Sequence, residues 1–115
     1  MAKDRWPELC KSVEEDDGLP TWKDAHYGTQ EKLYFWYRYL SITTSAMTGN
    51  PAFPGGLVYV DLFAGGGVCA MKDSGRRIPG SVLIAANMAK PFARIIACET
   101  TRKLAKACEA RLRAT

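Results

Sequence analysis

The chain has 115 residues, with 16 Lys and Arg against 12 Asp and Glu and a formal net charge of +4 at pH 7. That length bounds it to one domain with a modest core, and its mild basicity permits a nucleic-acid partner, ordinary solvated charge being the alternative. Four scattered cysteines with no C-x-x-C pair and one histidine argue against a zinc site; residues 1–20 are polar and acidic and no apolar run approaches about 18 residues, so the expected setting is cytoplasmic, with no membrane and no metal partner.

Pro7 to Val13 predicts a short helix with Leu9 and Val13 on one face. The acidic run Glu14 to Asp17, followed by Gly18 and Pro20, breaks it. Thr29 to Ile42 is the strongest helical pattern, with Thr29 as N-cap and Glu31 at the positive end of the dipole. Leu33, Trp36, Tyr37 and Leu40 form one stripe; Phe35, Tyr39 and Ile42 form a second. A helix so covered calls for partners on more than one side. Packing against a sheet, a place over a cofactor site, or an RNA-stacking surface would each supply them. Thr43 to Gly56 reads as a loop broken by Gly49-Asn50-Pro51 and Pro54-Gly55-Gly56.

Leu57 to Val60 reads as a strand buried on both faces, as in a parallel sheet. It delivers Asp61 and then, after Leu62-Phe63-Ala64, turns on Gly65-Gly66-Gly67. Val68 to Pro79 reads as an insertion, with the next helix beginning at Ser81, capped by it and running to Lys90. Val82, Ala85, Ala86 and Ala89 would face the sheet. Arg94 to Glu99 reads as the second strand, again ending in an acid, 38 positions after Asp61. The two strands are predicted to be adjacent and parallel, with a right-handed crossover. Cys69 and Cys98 read as small core residues. Thr101 to Arg113 is amphipathic, with Leu104, Ala105, Cys108 and Leu112 on one face. Arg102, Lys103, Lys106, Arg111 and Arg113 make the other face basic, either a solvated face or a nucleic-acid contact.

The glycine run carries the chemistry. A carboxylate at a strand end accepts hydrogen bonds from ammonium or hydroxyl groups, and glycines let a ligand approach the backbone. Gly65 to Ala70 fits the loose dinucleotide pattern G-x-G-x-x-G/A, which leaves an NAD-binding fragment as one reading. Asp61-Leu62-Phe63-Ala64-Gly65-Gly66-Gly67 resembles something narrower, the first motif of Rossmann-type methyltransferases that bind S-adenosylmethionine (AdoMet). The order of features is similar to the three-Cys-motif partner proteins, a bacterial family with a methyltransferase-like domain. The matches are His26 and Lys32 at an aromatic helix, the Asp61 to Gly67 motif, and Gly80-Ser81 after a short insertion; Val82 stands where the family has proline, as does Gly66. The resemblance covers residues 22–113. Ribosomal-RNA methyltransferases with the same first motif are a competing likeness, but their helix follows the glycines without an insertion.

The resemblance implies an α/β chain: a partial Rossmann-like unit of the AdoMet-dependent methyltransferase type. Residues 1–56 would be an N-terminal helical extension and loop, and residues 57–115 the first β-α-β-α portion, truncated before the remaining strands. The implied cofactor is AdoMet, held by Asp61, Phe63, Ala64, Gly65, Gly67, Glu99 and Thr100. Asp61 would accept from the ammonium group, Gly65 and Gly67 would flank the methionine portion, Glu99 would take the ribose hydroxyls and Thr100 would flank the adenine. Arg76 and Arg77 would pair with a substrate phosphate or the cofactor carboxylate, or remain exposed loop charges. No catalytic residue is identified, because no acceptor-site sequence of the Asn-Pro-Pro-Tyr type occurs. Partners implied are nucleic acid or a three-Cys-motif protein. A non-catalytic interaction module that keeps the fold is the alternative.

Overall fold

The computed structural model describes residues 4–115; residues 1–3 of the expected N-terminal extension lie outside them. Among the described residues there are four helices and five strands. They are α1 (Trp6–Ser12), β1 (Trp22–Ala25), α2 (Tyr27–Met47), β2 (Val58–Asp61), β3 (Val68–Met71), β4 (Arg77–Pro79), α3 (Ser81–Ala86), β5 (Arg94–Ala97) and α4 (Arg102–Arg113). The result is a mixed α/β domain with a radius of gyration of 14.1 Å, close to the about 13 Å expected of a compact chain this size.

The two expected strands are present and pair in parallel, in the register Val58 with Arg94, Tyr59 with Ile95, Val60 with Ile96 and Asp61 with Ala97. The expectation of only two strands is corrected. The Val68–Pro79 insertion is a hairpin, with β3 antiparallel to β4 through Val68–Pro79, Cys69–Ile78 and Ala70–Arg77. β1 adds to it in parallel, Trp22 opposite Cys69 and Ala25 opposite Met71. Three short strands of three or four residues carry little periodicity, and β1 gains its partner only when β3 arrives from more than 40 positions away. This sheet joins residues on either side of position 56.

α2 is longer than its sequence pattern. His26, not Thr29, is the N-cap: His26 Nδ1 accepts from Gly28 N, and the Thr29 hydroxyl accepts from His26 N. The helix runs on to Met47, through residues expected in a loop, with Thr44 buried and its hydroxyl donating to Leu40 O at 2.8 Å. Leu33, Tyr37 and Leu40 face the core with Leu9, Ala25, Tyr59, Met71, Ile78 and Ile84. Phe35, Tyr39 and Ile42, on the opposite stripe, are exposed.

Four further expectations are corrected. β2 is buried on one face only: Tyr59 points inward while Val58 and Val60 are 56% and 53% exposed. α3 ends at Ala86, with Gly80 as its N-cap and Ser81 in its first turn, and Ala89 is exposed. Cys98 is exposed, whereas Cys108 is buried; all four cysteines are free thiols. Arg111, placed by periodicity on the basic face of α4, is buried with only 6% of its surface exposed.

Candidate functional site: the carboxyl ends of the parallel pair

β2 and β5 end side by side, so the segments leaving them converge. Ala64 N donates to Cys98 O at 3.0 Å and Cys98 N to Asp61 O at 2.8 Å, lacing the two exits together. Glu99 then lies against the glycine run. Its Oε1 accepts from Gly65 N at 3.2 Å and its Oε2 from Thr101 N at 2.7 Å. These backbone donors, that of Thr101 first, hold the Glu99 carboxyl below the ordinary glutamate range. The Thr101 hydroxyl and Thr100 N also contribute, so the Glu99 carboxylate is held by the turn that follows β5 as well as by the glycine run.

Asp61 is held differently. Its Oδ2 accepts from the Tyr59 hydroxyl at 3.0 Å and from the Ser81 hydroxyl at 2.5 Å; its Oδ1 accepts from Phe63 N at 3.1 Å. Tyr59 in turn accepts from Trp36 Nε1 at 3.1 Å. Burial, the largest cause, raises the Tyr59 phenol to about 12, so it stays a protonated donor. Oδ2 is saturated and Oδ1 keeps one acceptor position.

The three glycines do different work. Gly65 has φ +63 and nothing stands within 4 Å of where a Cβ would be. Gly67 has φ +91, but a Cβ there would meet Arg111 Cδ and Leu83 Cγ at 3.5 Å. Gly66 is packed harder, with Pro20 O at 3.0 Å and Leu104 Cδ2 at 3.1 Å from a built Cβ. Gly65 is thus open, while Gly66 is closed by Pro20 O and Leu104 and Gly67 packs against Arg111 and Leu83. Ala64 is buried; Phe63 is 88% exposed and Thr100 is exposed.

Arg111 closes the buried side, and it is the residue sequence reasoning placed wrongly. All five of its N–H groups donate. Nε and Nη2 reach Asp17 Oδ2 and Oδ1, both at 2.8 Å; Nη1 reaches Pro20 O and Gly66 O, both at 2.7 Å; Nη2 also reaches Leu19 O at 3.0 Å. Hydrogen bonds from Arg111 are the largest cause holding the Asp17 carboxyl far below the usual aspartate range. Arg77 joins the cluster, donating Nε to Val13 O at 2.8 Å and lying 3.2 Å from Asp17. Arg76 meets Gln30 instead. One acid and two arginines, far apart in sequence, carried no periodic signal that would tie residues 17, 77 and 111 together.

A cleft of about 530 Å³, within the size range of small-molecule sites, opens beside Glu99 and is lined by Ala64, Ala97, Ala105, Cys108 and Leu112. Among the described residues, no group of three or more His, Cys, Asp and Glu side chains could hold a metal ion, and no helix is long and apolar enough to cross a membrane. Comparison of the chain with protein-family models, with curated proteins and with solved structures returns no match.

Proposed function

We propose that this chain is the cofactor-binding N-terminal portion of an AdoMet-dependent methyltransferase of the three-Cys-motif partner type, built on a partial Rossmann-like unit. One observation carries the reading: the carboxylates at the carboxyl ends of β2 and β5. Glu99 presents two acceptor oxygens oriented by backbone donors, which suits a ribose diol. Asp61 keeps one position on Oδ1, which suits a single ammonium donor. Gly65, bonded to Glu99 through its N–H, has open space where a Cβ would stand. AdoMet, when bound, supplies an electrophilic methyl group on a sulfonium; this chain's residues bind and orient it. Gly67 would contribute by shaping the turn from behind, and Phe63 and Thr100 would flank the ligand from exposed positions. The methyl acceptor and the catalytic residue would lie elsewhere in the assembled enzyme.

Calorimetric titration tests this. AdoMet and S-adenosylhomocysteine should bind the chain weakly, and in preference to NAD. Glu99→Gln keeps one carbonyl acceptor and removes the charge, and should weaken AdoMet binding by about tenfold or more. Unchanged affinity in Glu99→Gln would take Glu99 out of the site. Preference for NAD would move the reading to a dinucleotide-binding fragment.

A second reading, a non-catalytic interaction module, is favoured by the bare outer face of the parallel pair. Val58, Val60, Leu62, Phe63 and Ile96 are all exposed there or at its exit. It overtakes the first if no nucleoside ligand binds.

A further inference from the structure

Asp61 is supported by more machinery than a turn needs. A strand-end aspartate that merely caps its turn requires only the Phe63 N bond to Oδ1. Here two hydroxyl groups from two other places converge on the opposite oxygen. Tyr59 belongs to the same strand, two residues earlier and therefore on the same face. Ser81 sits in the first turn of α3, 20 positions away, and gives its hydroxyl to Asp61 at 2.5 Å. The phenol is itself directed: Trp36 Nε1, from α2, donates into its oxygen and leaves the Tyr59 proton for Asp61. Strand and short helix thus end on one carboxylate oxygen, with the aromatic helix bonded to the phenol behind it. Tyr59 is 8% exposed, so its side chain is largely withdrawn from water.

We infer that Tyr59 and Ser81 are positioning residues of the cofactor site, locking the Asp61 carboxylate so that Oδ1 alone meets the ligand, as one acceptor for one cationic N–H group. This rests on the AdoMet reading and extends it to residues outside the glycine motif. It also assigns a role to the Gly80-Ser81 step. Gly80 allows close approach, since a Cβ there would lie 3.0 Å from Gly67 O, and Gly80 N donates to that same oxygen at 2.8 Å. The residue after it is thereby brought beside the β2 exit. Without the two hydroxyls only the Phe63 N bond would hold the carboxylate against rotation about χ2, a broad torsion, and either oxygen could be offered to a ligand. A ligand ammonium group would then have to order it on binding.

The test uses the full chain, with Ser81→Ala, Ser81→Thr and Tyr59→Phe beside the wild type. Three readouts are taken: AdoMet affinity by calorimetry, the Asp61 carboxyl ¹³C resonance, and the Trp36 indole cross-peak among the three indoles the sequence supplies. Ser81→Ala should weaken AdoMet binding about tenfold, and Tyr59→Phe about fivefold, with Ser81→Thr restoring the wild-type value to within about twofold. The Asp61 carboxyl resonance should move in Ser81→Ala and Tyr59→Phe without ligand, and the Trp36 indole should move in Tyr59→Phe. A purely structural role would lower the melting temperature while leaving affinity untouched, and that result overturns the inference. So does an Asp61 resonance indifferent to both substitutions. If the wild type binds no AdoMet yet the Asp61 resonance responds as stated, the methyltransferase reading falls and the locked carboxylate stands.

Discussion

The two sheets of this chain differ in what covers them, and the glycine run is the bridge between them. The β1-β3-β4 sheet is enclosed: Ala25 and Ile78 are 0% exposed and Val68 is 2%. Its side chains pack with Leu9 of α1, Leu33 of α2 and Ile84 of α3 in one cluster, and with Val13 and Leu83 in another. The β2-β5 pair has the more apolar sequence and the less burial. Tyr59 and Ile95 face inward, while Val58, Val60 and Ile96 line an open face. Apolar content therefore does not decide which strand is interior; the number of layers laid over it does. The proposed chemistry sits at the seam, where Gly65 belongs to the open pair and Gly66 and Gly67 belong to the closed core.

The seam itself should be the most sensitive place. Arg111→Met would leave Gly66 O, Pro20 O and Leu19 O without their donor and Asp17 without its bidentate partner. Leaving a buried carbonyl acceptor unsatisfied costs about 1–3 kcal/mol, while the Asp17 side chain, 37% exposed, adds less; a urea titration would read the sum as a large drop in midpoint. Arg111→Lys should recover little, since three ammonium donors cannot replace five planar ones. The same cluster sets an acid limit. The folded Asp17 carboxyl is depressed below its unfolded value, chiefly by Arg111. Its stabilisation is therefore fully present above the ordinary aspartate value of about 4 and is lost as pH falls below that toward the folded value. Melting temperature should decline below about pH 4 in the wild type, and less steeply in Asp17→Asn, which starts lower.

A paired substitution then tests the two sheets against each other. Ile78→Ala removes a fully buried side chain from β4 and should cost about 2–5 kcal/mol. The comparison breaks if Val60→Ala in the open pair costs as much.

How far the sequence reached follows from the same physics. The β2 and β5 segments were readable because each joins β-branched residues to a terminal acid, and their parallel pairing follows from the helix between them. That Gly65 and Glu99 would be neighbours was readable for the same reason, being fixed by strand exits. β1, β3 and β4 were not: four residues such as Trp22 to Ala25 become a strand only through a partner distant in sequence. The supports of the site were missed because each is a long-range polar contact. Ser81 looked like a helix cap and instead serves Asp61. Arg111 looked like one more cation on a basic face, and its burial depends on Asp17, 94 positions away. Periodicity reports which face a residue shares, not which carbonyls wait opposite it.

The smallest effect sharpens the comparison most. Val58→Thr and Val60→Thr keep the β-branched shape that suits a strand and add a hydroxyl where water already reaches. Each should change unfolding free energy by no more than about 0.5 kcal/mol, as surface substitutions do. The double substitution should nevertheless alter behaviour between molecules. The open face joins three β-branched side chains beside unpaired strand edges, a combination that promotes association. Sedimentation velocity across a concentration series should show the wild type self-associating and the double variant shifted toward monomer at equal stability. A wild type that stays monomeric, or a double variant that unfolds, would place β2 in the same class as the enclosed sheet and remove the distinction between them.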